Sequence, residues 1–122
     1  MRAPASHYLN HGGRLWVTDG VDGMVGTRPL HAAEWEICRM YVHPDHHGTG
    51  LAHTLLDHAE AYAVQQGAIQ LILWTDTRFT RAHRFYERRG YVRFGPVRAL
   101  HDLSNTHEFA YASPSPSGRG SG

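Results

Sequence analysis

The order of elements legible in this sequence predicts a mixed α/β (α+β) fold. It would be a mainly antiparallel sheet with a central βαβα segment and helices packed on its faces. Three observations predict it. The first third alternates apolar and polar residues around an Asp-Gly turn. The middle carries an amphipathic helical stripe behind a loop punctuated by glycine and proline. A short apolar strand, Leu71-Ile72-Leu73-Trp74, then separates that stripe from a second helical pattern.

The elements follow in order. Residues 1–12 carry His7, Asn10, His11 and Gly12 with little apolar pattern and read as a loose lead-in. Arg14–Asp19 reads as a strand, with Leu15 and Val17 alternating against Arg14, Trp16 and Thr18. Asp22-Gly23 favours a tight hairpin turn, and Met24–Leu30 is the return strand. Glu34–Val42, rich in β-branched and aromatic residues, is the third strand. His43–Gly50 is a polar loop leading straight into a helix over Leu51–Gln66. In that helix Leu51, Leu55, Leu56, Ala59, Tyr62 and Ala63 share one stripe, and Gly67 stops it. Ile69–Thr75 has the near-continuous apolar character of a strand buried on both faces. A second helix runs from Arg78 or Thr80 to Arg89, with Phe79, Ala82, Phe85 and Tyr86 as its stripe and Asp76 or Thr77 as its cap. Tyr91–Val97 and Glu108–Ala112 complete the strands. From Ser113 the composition, SPSPSGRGSG, reads as a flexible tail. The organisation expected is one domain over residues 13–112 between that lead-in and a tail over 113–122.

Composition narrows the function. The 122 residues hold 12 basic and 11 acidic side chains, a net charge of +1, which points away from nucleic acid and from a polybasic membrane surface. All the basic residues are arginine. No apolar run exceeds four residues and the N-terminus has no apolar leader, so the expectation is a cytoplasmic protein. Cys38 is the only cysteine, which excludes an internal disulfide and a cysteine zinc site in one chain. Eleven histidines invite a metal reading. His43, His46, His47, His53 and His58 cluster in sequence, but His53 and His58 are five apart and no His-x-x-x-His pair lies on either predicted helix, so no metal is expected.

The most informative stretch is Met40–Leu56, where a strand ends, a loop with Gly48 and Gly50 follows, and a helix begins at once. Backbone N–H groups at a helix start have no internal partners and the helix dipole adds positive potential, so such a loop suits an anion. Glycine lets a phosphate approach the backbone closely. Two glycines making a tight turn is the bland alternative, and neither a Walker sequence nor a dinucleotide fingerprint is present.

His47-Gly48-Thr49-Gly50-Leu51-Ala52, after Met40-Tyr41-Val42-His43-Pro44, resembles the acyl-CoA signature of the GNAT superfamily of N-acyltransferases. Ala82-His83-Arg84-Phe85-Tyr86-Glu87-Arg88-Arg89-Gly90-Tyr91 resembles its frequent ending. The likeness covers roughly residues 13–112. It implies a GNAT-like sheet and acetyl-CoA as co-substrate. It also implies transfer of the acyl group to a small-molecule or peptide amine by direct attack in a ternary complex. Met40, Tyr41, Val42, His47, Gly48, Thr49, Gly50, Leu51 and Ala52 would hold the co-substrate. A strand N–H near Met40–Val42, at a splay often made by a bulge, would polarise the thioester carbonyl. Tyr86 would protonate the leaving thiolate, its alternative being a core tyrosine. Glu36, on one face with Glu34, Cys38 and Met40 by strand alternation, would serve as base through water, its alternative being an exposed strand carboxylate. Arg81, Arg84 and Arg88 would be either a solvated face or a contact to the 3′-phosphate. His101, Asp102 and His107 would rim the acceptor site or be ordinary loop polar groups.

Three departures stand out. His47 replaces the family's Gln or Arg. Phe79 replaces an Asn that helps hold pantetheine. Few residues precede the hairpin where the family has helices that wall the acceptor pocket. The chain is then a trimmed version, or a second subunit in a homodimer supplies that wall. Two rival functions follow: a non-catalytic acyl-CoA-binding module of the same fold, and an interaction domain without a CoA site.

Overall fold

A computed structural model of the protein describes residues 5–8, 12–100 and 106–113. They divide into two compact units, Met1–Ala68 and Ile69–Gly122. Both mix strands with a helix, and no cis peptide bond occurs among the described residues.

The first unit is an antiparallel meander of β1 (Ala5–Tyr8), β2 (Arg14–Val17), β3 (Gly23–His31) and β4 (Glu34–Val42), followed by α1 (Leu51–Gln65). The sequence expectation for β4 holds to the residue, and that for α1 to within one. The lead-in expectation does not hold for residues 5–8. Ala5–Tyr8 pairs with Val17–Arg14 as a strand whose side chains are mostly exposed, so the free backbone edge of β2, not apolar burial, selects it. The Arg14 guanidinium adds to that docking. It donates to Ser6 Oγ at 2.7 Å and lies 4.7 Å from the Tyr8 ring and 5.2 Å from the Tyr62 ring. β2 ends at Val17 rather than at Asp19. Thr18 N–H bonds Gly23 O, Gly23 N–H bonds Thr18 Oγ1, and Asp19–Val21 coil into a 3-10 turn between them.

Directly paired residues of an antiparallel ladder share a face. Trp16, Val25, Thr27, Trp35 and Ile37 therefore lie together, and α1 packs on them through Leu51, Leu55, Leu56, Ala59 and Ala63. Tyr62 meets Trp16 at 5.7 Å and Trp35 at 6.0 Å, both edge-on. Burying leucines of this kind stabilises by about 1.5–3 kcal/mol each. The helix comes so close at Gly23 that a Cβ there would stand 2.9 Å from Leu55 Cδ1.

The second unit contains β5 (Gln70–Asp76), α2 (Thr80–Arg88), β6 (Val92–Ala99) and β7 (His107–Ala112), with β7 antiparallel to both β5 and β6. Its aromatic cluster joins Tyr86, Tyr91 and Tyr111, with His83 stacked on Tyr111 and edge-on to Phe109. β5 is not buried on both faces as its composition suggested. Leu71, Leu73 and Thr75 are buried. Ile72 and Trp74 are half-exposed, and the Arg98 guanidinium lies 3.9 Å over Trp74. Phe79, expected on the inner stripe of α2, is 58 % exposed, and His83 is buried instead with Nε2 donating to Asp76 O at 2.9 Å. Asp76 does not cap α2. Its carboxylate takes the Arg78 N–H and two guanidinium bonds, and no side chain caps the helix at Phe79. Ser113 belongs to the sheet rather than to the tail. Its N–H bonds Leu71 O at 2.8 Å, its Oγ accepts Leu71 N–H at 3.0 Å, and it is buried. Residues 114–122 lie outside the described residues.

Candidate functional site

The loop between β4 and α1 is built by a chain of short backbone bonds. His43 N–H bonds Asp22 O at 2.7 Å, which ties the end of β4 to the β2–β3 turn. Pro44–His46 form one 3-10 turn, closed by His46 N–H to His43 O and His47 N–H to Pro44 O. The His46 ring also approaches Asp22 Oδ2 at 3.5 Å. Thr49 donates from both N–H and Oγ1 to His46 O, at 3.2 and 2.6 Å. The loop is thus rigid up to the residue before Gly50.

Gly48 and Gly50 have φ of +82° and +87°, a left-handed backbone that L side chains rarely adopt. A Cβ at either would meet no atom within 4 Å. Glycine is therefore set here by backbone conformation, and the loop surface in front of it is open. α1 starts at Gly50 with no side-chain cap. Its first intrahelical bond is Thr54 N–H to Gly50 O, and Leu51 N–H reaches only Thr49 Oγ1 at 3.4 Å. Helix geometry leaves the earlier amides without an i−4 partner, in the positive field of the helix N-terminus. These features fit a diphosphate, which needs several N–H donors and no intervening side chain.

His47 is placed less simply than the sequence suggested. Its Nε2 lies 3.1 Å from Val42 O, so this nitrogen carries the proton and the ring is turned back onto its own loop. In the neutral ring Nδ1 is then a lone pair, which repels phosphate, and only the imidazolium would offer a second donor.

Upstream, β4 carries the irregularity expected of it. Arg39 has φ of +53°, rare for a residue with a Cβ. Met24 pairs with Tyr41 and Gly26 with Cys38, so β4 holds one residue more than β3 across this interval, a β-bulge. The bulge shifts the alternation. Tyr41, not Met40, falls in line with Cys38 and Glu36, which corrects the face expected for Met40. The line lies opposite the face covered by α1.

Glu36 is not an exposed strand carboxylate. It is buried, and Arg28 across the ladder donates to its Oε1 from Nε and Nη2, both at 2.7 Å. The Glu36 partnership raises the Arg28 pKa. Burial first, then the Glu36 charge, pushes the neighbouring Cys38 thiol up, which favours the thiol over the thiolate.

In the second unit Tyr86 sits on the inner face of α2 between Phe85, Tyr91 and Tyr111. Its residue is 6 % exposed, and burial raises the phenol well above its usual value, so it is protonated throughout the physiological range. Arg81, Arg84 and Arg88 line the exposed side of α2. Arg78 is committed to Asp76, at 2.7 Å. His107 opens β7 and is exposed, while His101 and Asp102 lie outside the described residues. Among the described residues no group of three or more His, Cys, Asp or Glu is placed to hold a metal. None of their helices is long and apolar enough to cross a membrane.

Comparison with known proteins now decides the family. The profile of the Acetyltransferase (GNAT) family matches residues 2–91. The chain belongs to the GNAT acetyltransferase family. It is similar to an uncharacterized N-acetyltransferase of Mycobacterium tuberculosis, 36% identical over 56 residues, 46% of this chain and 36% of that protein. The chain thus matches about a third of that relative's length. Among solved structures, a GNAT-family acetyltransferase from Staphylococcus aureus superposes with a TM-score of 0.71 at 23% identity, over 87% of this chain and 70% of that one. The NatC complex bound to Gag peptide and CoA superposes with a TM-score of 0.69 at 18% identity, over 84% and 70%. At these identities the likeness establishes the fold. The mixed α/β, mainly antiparallel architecture of the GNAT family is the one the sequence predicted.

Proposed function

We propose that this chain transfers an acetyl group from acetyl-CoA to a primary amine by direct attack in a ternary complex. The observation that carries the reading is the β4–α1 loop: two left-handed glycines, open space before them, and a helix start that no side chain caps. Membership of the GNAT family supports it, and the NatC structure shows a related fold with CoA and a peptide.

Acetyl-CoA supplies the activated thioester and leaves as the free thiol. The chain's own groups do the rest. The Gly48, Gly50 and Ala52 amides bind the diphosphate, joined by the Leu51 N–H that Thr49 Oγ1 holds only at 3.4 Å, with Thr49 lining the same turn and His47 adding a donor when protonated. A backbone N–H near Met40–Val42, beside the Arg39 bulge, polarises the carbonyl. Glu36 accepts the proton that the amine loses as its nitrogen–carbon bond forms, directly or through a water. Tyr86 donates to the sulfur as the carbon–sulfur bond breaks. Its raised pKa suits a hydrogen bond that holds the developing thiolate, which takes its proton from water to leave as the free thiol, because a thiol titrates near ~8.5. That burial also favours a second reading, a CoA-binding module without turnover.

Release of CoA thiol from acetyl-CoA with a panel of amines separates the two. Tyr86→Phe should lower kcat by about 10²-fold while leaving CoA affinity nearly unchanged. Wild-type protein that binds CoA yet releases no thiol with any amine would leave only the binding module.

A further inference from the structure

The sheet face opposite α1 carries a charge pair with an unused side on each partner. Glu36 is fixed from both ends: Thr27 Oγ1 donates to its backbone carbonyl at 3.0 Å, and its side chain is only 10% exposed. Both bonds from Arg28 end on Oε1, and Oε2 takes neither. Arg28 is 57% exposed and has two of its five N–H donors committed, so its outer edge faces solvent. Next along the ladder, Gly26 lies opposite Cys38 and has no side chain of its own. Glu36 lies on the strand that carries the Arg39 bulge, and Arg28 on its ladder partner.

A permanent cation beside Glu36 disfavours a simple cationic amine or a polyamine, since each ammonium that approaches the one unlike charge also meets a like one. An amine that also bears a carboxylate reverses the balance. Its nitrogen meets Glu36 Oε2, and its carboxylate meets the free fork of Arg28, the guanidinium geometry best suited to a carboxylate. A neutral, zwitterionic head then meets a neutral pair.

We propose that Arg28 and Glu36 form the acceptor subsite, and that the acceptor is an amine carrying a carboxylate close to its nitrogen, as in an α-amino acid. The proposal rests on the transferase reading above. Arg28 is the specificity-determining residue, and Glu36 both holds it and receives the amine.

The test compares free α-amino acids with their methyl esters, using thiol release and, separately, melting temperature in saturating CoA. Wild type should prefer the free acids at least tenfold in kcat/KM. Arg28→Gln should reduce the acid-over-ester preference in kcat/KM tenfold or more, whatever it costs both substrates through Glu36, and Arg28→Lys should fall between. Equal use of acids and esters by wild type, or an equal loss on both in Arg28→Gln, overturns the proposal while leaving the transferase intact. If no amine releases thiol, the transferase reading fails, and melting still decides this one. Stabilisation by acids but not esters, lost in Arg28→Gln, supports the subsite, and no difference overturns it.

Discussion

Gly50→Ala and Gly23→Ala separate two reasons for glycine and test the anion loop directly. At Gly50 the backbone is left-handed with φ of +87° and a Cβ meets nothing within 4 Å. The cost is conformational strain of about 1–2 kcal/mol, partly offset by ~0.4–1 kcal/mol from a less flexible unfolded chain. A net loss of about 1 kcal/mol lowers Tm by roughly 3–5 °C for a chain of this size. At Gly23 the backbone is ordinary strand, but a Cβ would stand 2.9 Å from Leu55 Cδ1, 3.2 Å from Leu51 Cδ2 and 3.3 Å from Tyr41 O. Overpacking there costs about 1–3 kcal/mol. Stability alone therefore ranks Gly23→Ala as the more damaged variant. Ligand binding should reverse the order. CoA at 100 times its Kd stabilises wild type by ~2.7 kcal/mol, and a tenfold weaker site loses about half of that. Differential scanning with and without CoA reads both quantities. Gly23→Ala should keep the full CoA shift from its lower baseline, and Gly50→Ala should lose half or more. A Gly50→Ala protein with an undiminished CoA shift would refute the idea that this bend holds the diphosphate.

Two further outcomes concern the second unit. Ser113→Ala removes the acceptor of the buried Leu71 N–H and should cost about 1–3 kcal/mol, measured by urea denaturation. A change within error would show that Ser113 lies outside the cooperative structure. The Arg78 guanidinium and N–H pull the Asp76 carboxyl down to about 2 from 3.8. Because the folded value is depressed, this contribution is complete above the unfolded value and fades as pH falls from about 4 to 2. Asp76→Asn should therefore show a flatter decline of Tm with acid over that window, and parallel wild-type and variant curves would contradict the assigned pair.

Much of the site region was legible because its signals are local. The β-branched and aromatic run of Glu34–Val42, the Gly48 and Gly50 pair, and the Leu51–Ala63 stripe each depend on neighbours within a few residues. The structure keeps their boundaries to within one residue. Residues 5–8 and Ser113 carry no such pattern, and non-local bonds to β2, to Arg14 and to Leu71 recruit them. The inner place on α2 went to His83 rather than Phe79 because a polar ring could satisfy the Asp76 carbonyl.

Sequence by itself determined the element order from Arg14 onward, the glycine-marked helix start and the family pattern, because each is written in adjacent side chains and short-range backbone preference. Tertiary structure alone decided that Arg39 bulges β4, that Tyr41 rather than Met40 lines up with Glu36, and that Glu36 is clasped by Arg28. Those facts depend on the register between two strands, and one extra residue in a ladder shifts which side chains meet without changing the local pattern of either strand.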